Sequence, residues 1–365
     1  MQDLDFMNEA IKLALKGSVY THPNPRVGCV ITKDNTIIGK GYHKSFGSNH
    51  AEVNAVKYCL NKFGKNKGVD LLRGSTAYIT LEPCSIFSKT APCTDTILKY
   101  EIKNIFCASL DPNPAINGRG VRVLRKAGLN VKVGLLKKEA VKINEEFFFR
   151  HNKGRPFVRM KVAQSIDGKI ALVNGDSKWI SSKESRSDVQ NLRAEVDAIL
   201  VGSGTVLKDN PRLNVRNSNK YKAINRQPKK IILGKIDYST LSGLKLFKED
   251  SENIIFSNDD FVSNHSKVIF KKLKKQNSLK QLLKELTKYE INSLLIEGGS
   301  QVFTSFIEEN IVDELIVYLS PKILGNSSKN ATEVISPKTL NNAKNFKILK
   351  SMTVGDDIKI IMRRK

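Results

Sequence analysis

With 365 residues, 40% of them hydrophobic, and a mean hydropathy of −0.31, the chain is long enough for two ordinary domains with apolar cores. No stretch approaches the roughly 18 uninterrupted apolar residues of a membrane helix. A formal net charge of +25 raises nucleic-acid binding, but the long basic run KKLKKQNSLK (271–280) has no interleaved aromatics to stack on bases.

The N-terminal MQDLDFMNEAIKLALKG carries acids before its apolar residues and reads as an amphipathic helix of the mature fold. It lacks the basic start and cleavage site of a secretory signal, so the expected compartment is the cytoplasm, where disulfides are rare. Residues 30–43, VITKDNTIIGKGYH, predict two strands around an Asp34-Asn35 turn. Helices are expected at 50–62, 94–100 and 119–127, and strands at 75–81, 103–109 and 130–136. Such alternation indicates a layered α/β domain. The basic stretch RHNKGRP (150–156) contains Gly154 and Pro156 and suggests a boundary, giving domains 1–149 and 150–365.

A second α/β pattern follows. FVRMKVAQSIDGKIAL reads as strand with a turn at Asp167-Gly168, 183–194 as helix, and DAILVG (197–202) as strand. KKIILG, ENIIFS and KVIF are strand-like, LKQLLKELTKYE is helical, and SLLIEGG is a strand entering a glycine turn. VDELIVYLSPKILG reads as another strand, and the tail FKILKSMTVGDDIKIIMRR as a hairpin around Gly355-Asp356.

The five cysteines, Cys29, Cys59, Cys84, Cys93 and Cys107, are odd in number and confined to the first third of the chain, which argues against a disulfide framework. Cys29 in VGCVI and Cys107 in IFCAS read as core residues. Cys84 and Cys93, each preceded by proline, are separated by eight residues and follow HAEVNA (50–55). One histidine and two cysteines make three ligands of a zinc tetrahedron and leave a fourth position for water. Glu52 shares no helix face with His50 and is poorly placed as a further ligand, but near a helix start it can reach that water and shuttle its proton. This is the His-x-Glu and Pro-Cys logic of zinc nucleobase deaminases, with a longer spacing between the cysteines than the usual Pro-Cys-x-x-Cys.

HPNPRVGCVI (22–31), GYH (41–43), HAEVNA, TLEPC, APC and DPNPAINGRG (111–120) complete a set. On these marks, and on those of the second half below, the chain resembles the bifunctional deaminase–reductases of riboflavin biosynthesis over nearly its whole length. The Cys-x8-Cys spacing is typical of that family. The resemblance implies an N-terminal cytidine deaminase-like three-layer α/β domain followed by a dihydrofolate reductase-like α/β domain. It makes His50, Cys84 and Cys93 ligands of Zn2+, Glu52 the catalytic proton shuttle, and Asn24, His43 and Lys89 contacts to a phosphorylated aminopyrimidine. An ammonium at Lys89 suits phosphate. The loop Ser85-Ile86-Phe87-Ser88 departs from the Ser-His-x-Gly usual in relatives, which bears on substrate affinity or loop shape rather than on the metal.

In the second half the marks are KVAQSIDGKIA, GDSKWIS, LRAEVDAILVGSGTVLKDNPRLNVR and LLIEGGSQV. No Gly-x-Gly-x-x-Gly fingerprint is present, yet glycines opening a helix permit close approach of a phosphate. By resemblance Ala163, Trp179, Thr205, Asp209, Gly299, Ser300 and Gln301 contact NADPH. Ser177, Arg193, Leu213, Arg216 and Glu297 contact the ribosylamino substrate, the two arginines being chemically suited to its phosphate. The implied function is zinc-dependent deamination of a diaminopyrimidine ribosylamino phosphate, then NADPH-dependent reduction of its ribosyl chain. A homo-oligomer is expected, with neither nucleic acid nor membrane as partner. Two alternatives stand beside it: a reductase carrying a catalytically degenerate zinc module, and an RNA-editing deaminase with a basic C-terminal half.

Overall fold

The computed structural model of the chain describes residues 2–365 apart from 88–90, 217, 219, 222–225, 242, 249–250, 260–267, 275 and 277. Two compact units emerge, Met1–Gly154 and Arg155–Lys365. A cut between 149 and 150 would fall inside a helix that runs from Glu145 to Lys153 and ends on Gly154, whose left-handed φ of 64° forms its C-cap.

In chain order the first unit comprises α1 (Asp3–Gly17), β1 (Gly28–Lys33), β2 (Thr36–Tyr42), α2 (Ala51–Phe63), α3 (Lys65–Leu72), β3 (Thr76–Ile79), α4 (Cys93–Lys99), β4 (Asn104–Cys107), α5 (Arg119–Lys126), β5 (Asn130–Val133), α6 (Lys137–Lys142) and α7 (Glu145–Lys153). Its sheet runs β2-β1-β3-β4-β5, antiparallel across β1 and parallel from β3 to β5. The expected hairpin is present: Asp34 and Asn35 both have positive φ, the backbone a two-residue turn of this kind requires. Strand alternation then sorts the core into two layers. Val30 and Tyr78 face Phe6, Met7, Ala10 and Leu13 of α1. Cys29, Ile31, Ala77 and Ile79 face Ala55, Val56 and Cys59 of α2, Ile97 of α4 and Leu124 of α5. The result is the three-layer α/β domain anticipated above. All five cysteines are free, with Cys29, Cys59 and Cys107 buried in the core.

The second unit comprises β6 (Phe157–Ser165), β7 (Lys169–Ala171), α8 (Lys183–Ala194), β8 (Ala198–Gly202), α9 (Ser203–Asp209), β9 (Lys229–Leu233), α10 (Tyr238–Leu241), β10 (Asn253–Ser257), β11 (Val268–Lys272), α11 (Ser278–Leu286), β12 (Ser293–Gly298), α12 (Ser300–Glu308), β13 (Glu314–Ser320), β14 (Lys329–Asn330), β15 (Phe346–Val354) and β16 (Asp357–Arg364). Nine strands order as β11-β10-β9-β8-β12-β6-β13-β16-β15, parallel up to β13 and antiparallel through the terminal hairpin. The buried central strands are near-continuous aliphatic runs, as a parallel sheet covered on both faces requires. One face packs on Leu282, Leu283 and Leu286 of α11 and Phe303 and Phe306 of α12. The other packs on Val189 and Leu192 of α8 and Val206 of α9. Among the described residues no helix is long and apolar enough to cross a membrane.

Candidate active sites

In the first unit the three zinc-type donors come from separate elements. His50 is the N-cap of α2, Cys84 lies just beyond β3, and Cys93 opens α4. The His50 Nδ1 stands 3.1 Å from the Cys93 Sγ and 3.5 Å from the Cys84 Sγ, and the sulfurs are 3.5 Å apart. That sulfur separation rules out a disulfide bond between them. All three donor atoms lie within 4.8 Å of one another. Tetrahedral zinc, with bonds of about 2.3 Å to sulfur and about 2.0–2.1 Å to nitrogen, needs donor separations of about 3.5–3.8 Å. The donor set suits the metal, with both separations to the Cys84 Sγ, 3.5 Å, in that range and the His50–Cys93 separation, 3.1 Å, short of it. The Cys93 N–H donates to the Cys84 Sγ at 3.3 Å. The hydrogen bond with the Cys93 thiol, then the His50 imidazole and this N–H contact, draw the Cys84 thiol down to about 4 against its burial.

A close backbone approach fixes this arrangement. A Cβ on Gly41 of β2 would stand 2.2 Å from the Ala51 carbonyl oxygen, so only glycine lets the first turn of α2 lie on the strand. That turn carries Glu52, which is 4% exposed and lies beside Cys93. Burial, and then the Cys84 thiolate, push the Glu52 carboxyl above its ordinary range.

His43 and Asn24 join the same site. The His43 ring lies edge-on to that of His50 with centroids 5.3 Å apart. Asn24 Nδ2 is 3.3 Å from His43 Nε2, while His43 Nδ1 is 3.2 Å from the Asn49 carbonyl oxygen. The amide NH2 that Asn24 presents can only donate and a carbonyl can only accept, so this arrangement has His43 neutral with its proton on Nδ1. Burial lowers its pKa in the same sense. Lys89 and Ser88 lie outside the described residues.

Sequence reasoning passed over Glu82. Its carboxylate is 4% exposed and accepts the N–H groups of Asp111 (3.1 Å), Gly118 (2.8 Å) and Val121 (3.2 Å), clamping the DPNPAINGRG loop beside Cys84.

In the second unit a cavity of about 520 Å³ opens between α8, α9, β6 and the β12–α12 turn. Ala163, Ser177, Trp179, Arg193, Thr205, Asp209, Arg216, Glu297 and Gly299, all named from the sequence, line it. Leu213 does not; it is buried among Val189 and Leu192, and Ser300 and Gln301 sit beside the cavity at the start of α12. Lys161, Arg186, Gln190, Lys208 and Tyr318 also line it and were not singled out. The alternation of β6 placed Lys161 on the face of Ala163, which was the available signal.

The cavity suits a dinucleotide. A Cβ on Gly299 would stand 2.9 Å from the Thr205 Oγ1, and the buried Ser300 hydroxyl finds no partner among the described residues. Ser300 opens α12, and the amides of a helix N-terminus attract phosphate.

The first 109 residues match the cytidine and deoxycytidylate deaminase zinc-binding region, and residues 156–360 match the RibD C-terminal domain. Riboflavin biosynthesis protein RibD of Buchnera aphidicola subsp. Baizongia pistaciae is 42% identical, covering 100% of this chain and 99% of its own. Among solved structures, Acinetobacter baumannii RibD superposes with a TM-score of 0.89 at 34% identity, covering 100% of this chain and 99% of the other. A diaminohydroxyphosphoribosylaminopyrimidine deaminase/5-amino-6-(5-phosphoribosylamino)uracil reductase from Thermotoga maritima gives 0.83 at 36%, covering 100% and 99%.

Proposed function

From the premise that the chain belongs to the RibD family of riboflavin biosynthesis deaminase–reductases, we propose how its own residues divide the work of that bifunctional enzyme. The observation that carries this reading is the convergence of His50, Cys84 and Cys93, within 4.8 Å of one another, beside a buried Glu52.

The first unit deaminates 2,5-diamino-6-ribosylamino-4(3H)-pyrimidinone 5′-phosphate. His50, Cys84 and Cys93 hold zinc, which as a Lewis acid makes water a nucleophile near neutral pH. Glu52 moves a proton from the attacking water's oxygen to the exocyclic nitrogen that leaves as ammonia, and its raised pKa suits a group that must both accept and return a proton. Neutral His43, with Asn24 on its Nε2, lines the pyrimidine pocket. The second unit reduces the ribosyl chain to give 5-amino-6-ribitylaminouracil 5′-phosphate. Ala163, Trp179, Thr205, Asp209, Gly299, Ser300 and Gln301 would hold NADPH, which when bound would supply the hydride for reduction of the opened sugar. Ser177, Arg193, Arg216 and Glu297 shape the substrate end, while Leu213 lies in the core beside Val189 and Leu192.

Family membership over the whole chain gives the second unit a role that an RNA-editing reading leaves without one. A degenerate zinc module gains no support either, since the ligand triad and Glu52 stand together despite Ile86 in the loop. We carry forward a cytoplasmic homo-oligomer. An exposed edge strand, β15, with Ile348 61% and Leu349 53% exposed, supports a second copy as its partner.

Product mass spectrometry tests the function directly. Incubating the zinc-loaded protein with the diaminopyrimidine ribosylamino phosphate and NADPH is expected to give a product with one amine replaced by oxygen and two hydrogens added. Reduction without deamination would restore the degenerate-module reading.

A further inference from the structure

We propose that the outer face of α5, through Arg119 and Arg122, binds the 5′-phosphate of the deaminase substrate. The proposal rests on the deaminase function above and deepens it. It starts from how α5 is locked to the metal-ligand stretch. A Cβ on Gly120 would stand 2.0 Å from the Pro83 carbonyl oxygen, so the first turn of the helix lies directly on the residue preceding Cys84. Glu82 clamps that turn through the Gly118 and Val121 N–H groups. The helix is sharply two-faced: Gly120, Val121 and Leu124 are buried, while Arg119, Arg122 and Lys126, at spacings of three and four, project from the other side. With Ser85, Ile86 and Val123 they line an open depression of about 420 Å³ that begins one residue after Cys84.

No acidic residue lines it, and among the described residues Arg119, Arg122 and Lys126 form no ion pair. Arg125, by contrast, spends its Nη2 on the Val131 carbonyl oxygen at 2.8 Å. Like charges left together without a counter-ion favour an anion from outside. At the helix start the Gly118 and Val121 amides go to Glu82 and the Arg119 amide to the Ile116 carbonyl oxygen, so the anion is held by side chains, and a guanidinium pair matches a phosphate's geometry. With the pyrimidine at the His50–Cys84–Cys93 cluster, the phosphate lies a pentose away, and Ser85, the neighbour of Cys84, is among the residues that line this depression. The position also answers the departure at Ile86: where the loop lacks a hydrogen-bonding histidine, the helix beside it supplies cations.

The test compares two substrates on the full-length, zinc-loaded protein: the 5′-phosphorylated diaminopyrimidine and the same compound after phosphatase treatment. For the double variant Arg119→Gln/Arg122→Gln, the deamination KM of the phosphorylated substrate is expected to rise about ten- to a hundred-fold, the loss of hydrogen bonds to a charged group. The dephosphorylated substrate should be handled as by the parent protein, and reductase activity in the same chain, unchanged, reports correct folding. An equal change for both substrates, or none for either, overturns the proposal while leaving the deaminase reading intact. A parent protein that deaminates neither compound overturns the deaminase reading and this proposal with it.

Discussion

Arg193 and Glu297 meet as a fork-to-fork pair, Nε to Oε1 at 2.7 Å and Nη2 to Oε2 at 2.8 Å, and the remaining Arg193 Nη1 donates to the Asn214 carbonyl oxygen at 3.1 Å. The guanidinium is thus committed to α8–β12 contacts. A substrate phosphate there would have to displace Glu297, whereas the exposed Arg216 side chain keeps its donors for an incoming anion. We therefore assign Arg193 the positioning of Glu297 at the cavity wall and Arg216 the phosphate.

That division gives a first prediction. Arg216→Ala should raise the reductase KM about ten-fold or more with folding intact. Arg193→Ala should instead destabilise the second unit by about 3–5 kcal/mol, because it strands a buried carboxylate. Thermal unfolding alongside steady-state reduction separates the two. Equal behaviour of the variants would remove the distinction.

The same pair sets an acid limit. Burial pushes the Glu297 carboxyl up, but Arg193 and Lys161 outweigh it and hold the group below its ordinary range. A depressed carboxylate contributes stability that is fully present above its unfolded pKa of about 4.3 and is lost as pH falls through the lower folded value. The second unit should lose stability below about pH 4.3, and Glu297→Gln should flatten that dependence while lowering the plateau. Denaturant melts between pH 3 and 7 would show it, and an unchanged slope would refute it.

The residues proposed to hold zinc were legible in the sequence because two of them flag themselves: Pro-Cys after a strand and His-x-Glu at a helix start are local patterns. The Asp34-Asn35 and Gly355-Asp356 hairpins were legible for the same reason. The helices α3, α6 and α9, six to eight residues long, escaped notice, although α4 and α5, equally short, were read. Glu82 escaped because its partners are backbone amides up to 39 residues away, which carry no side-chain signature. Arg193 was marked, but its commitment to Glu297, 104 residues distant, exists only once β12 lies beside β8 and β6. Local chemistry was readable, while the allocation of each donor was decided by strand order.

Metal removal should divide the two activities. Stripping zinc with a chelator, or Cys93→Ser, is expected to abolish deamination and lower the melting temperature of the first unit, which loses the cross-link between β3, α2 and α4. Reduction of separately supplied deaminated substrate should persist. Glu52→Gln should retain stoichiometric zinc by elemental analysis yet lose about 10²–10⁴-fold in deamination, the usual contribution of a general acid–base. Undiminished turnover in that variant would dismiss Glu52 as the shuttle.

At the second site the discriminating residue is Gly299. A methyl group there would stand 2.9 Å from the Thr205 Oγ1, inside the cradle formed with Ser300 at the start of α12. Contacts under 3.0 Å must be relieved by movement, and both neighbours are assigned to the cofactor. Gly299→Ala should therefore raise the KM for NADPH at least ten-fold while sparing deamination and the substrate KM at saturating cofactor. Ser300→Ala removes only a buried hydroxyl with no partner in the protein, so the free enzyme should keep its stability. Cofactor binding should weaken several-fold if that hydroxyl serves a phosphate. Titration of NADPH by fluorescence, together with thermal melts of the free protein, tests both. Unchanged NADPH affinity in the two variants would move the cofactor phosphates away from the β12–α12 turn.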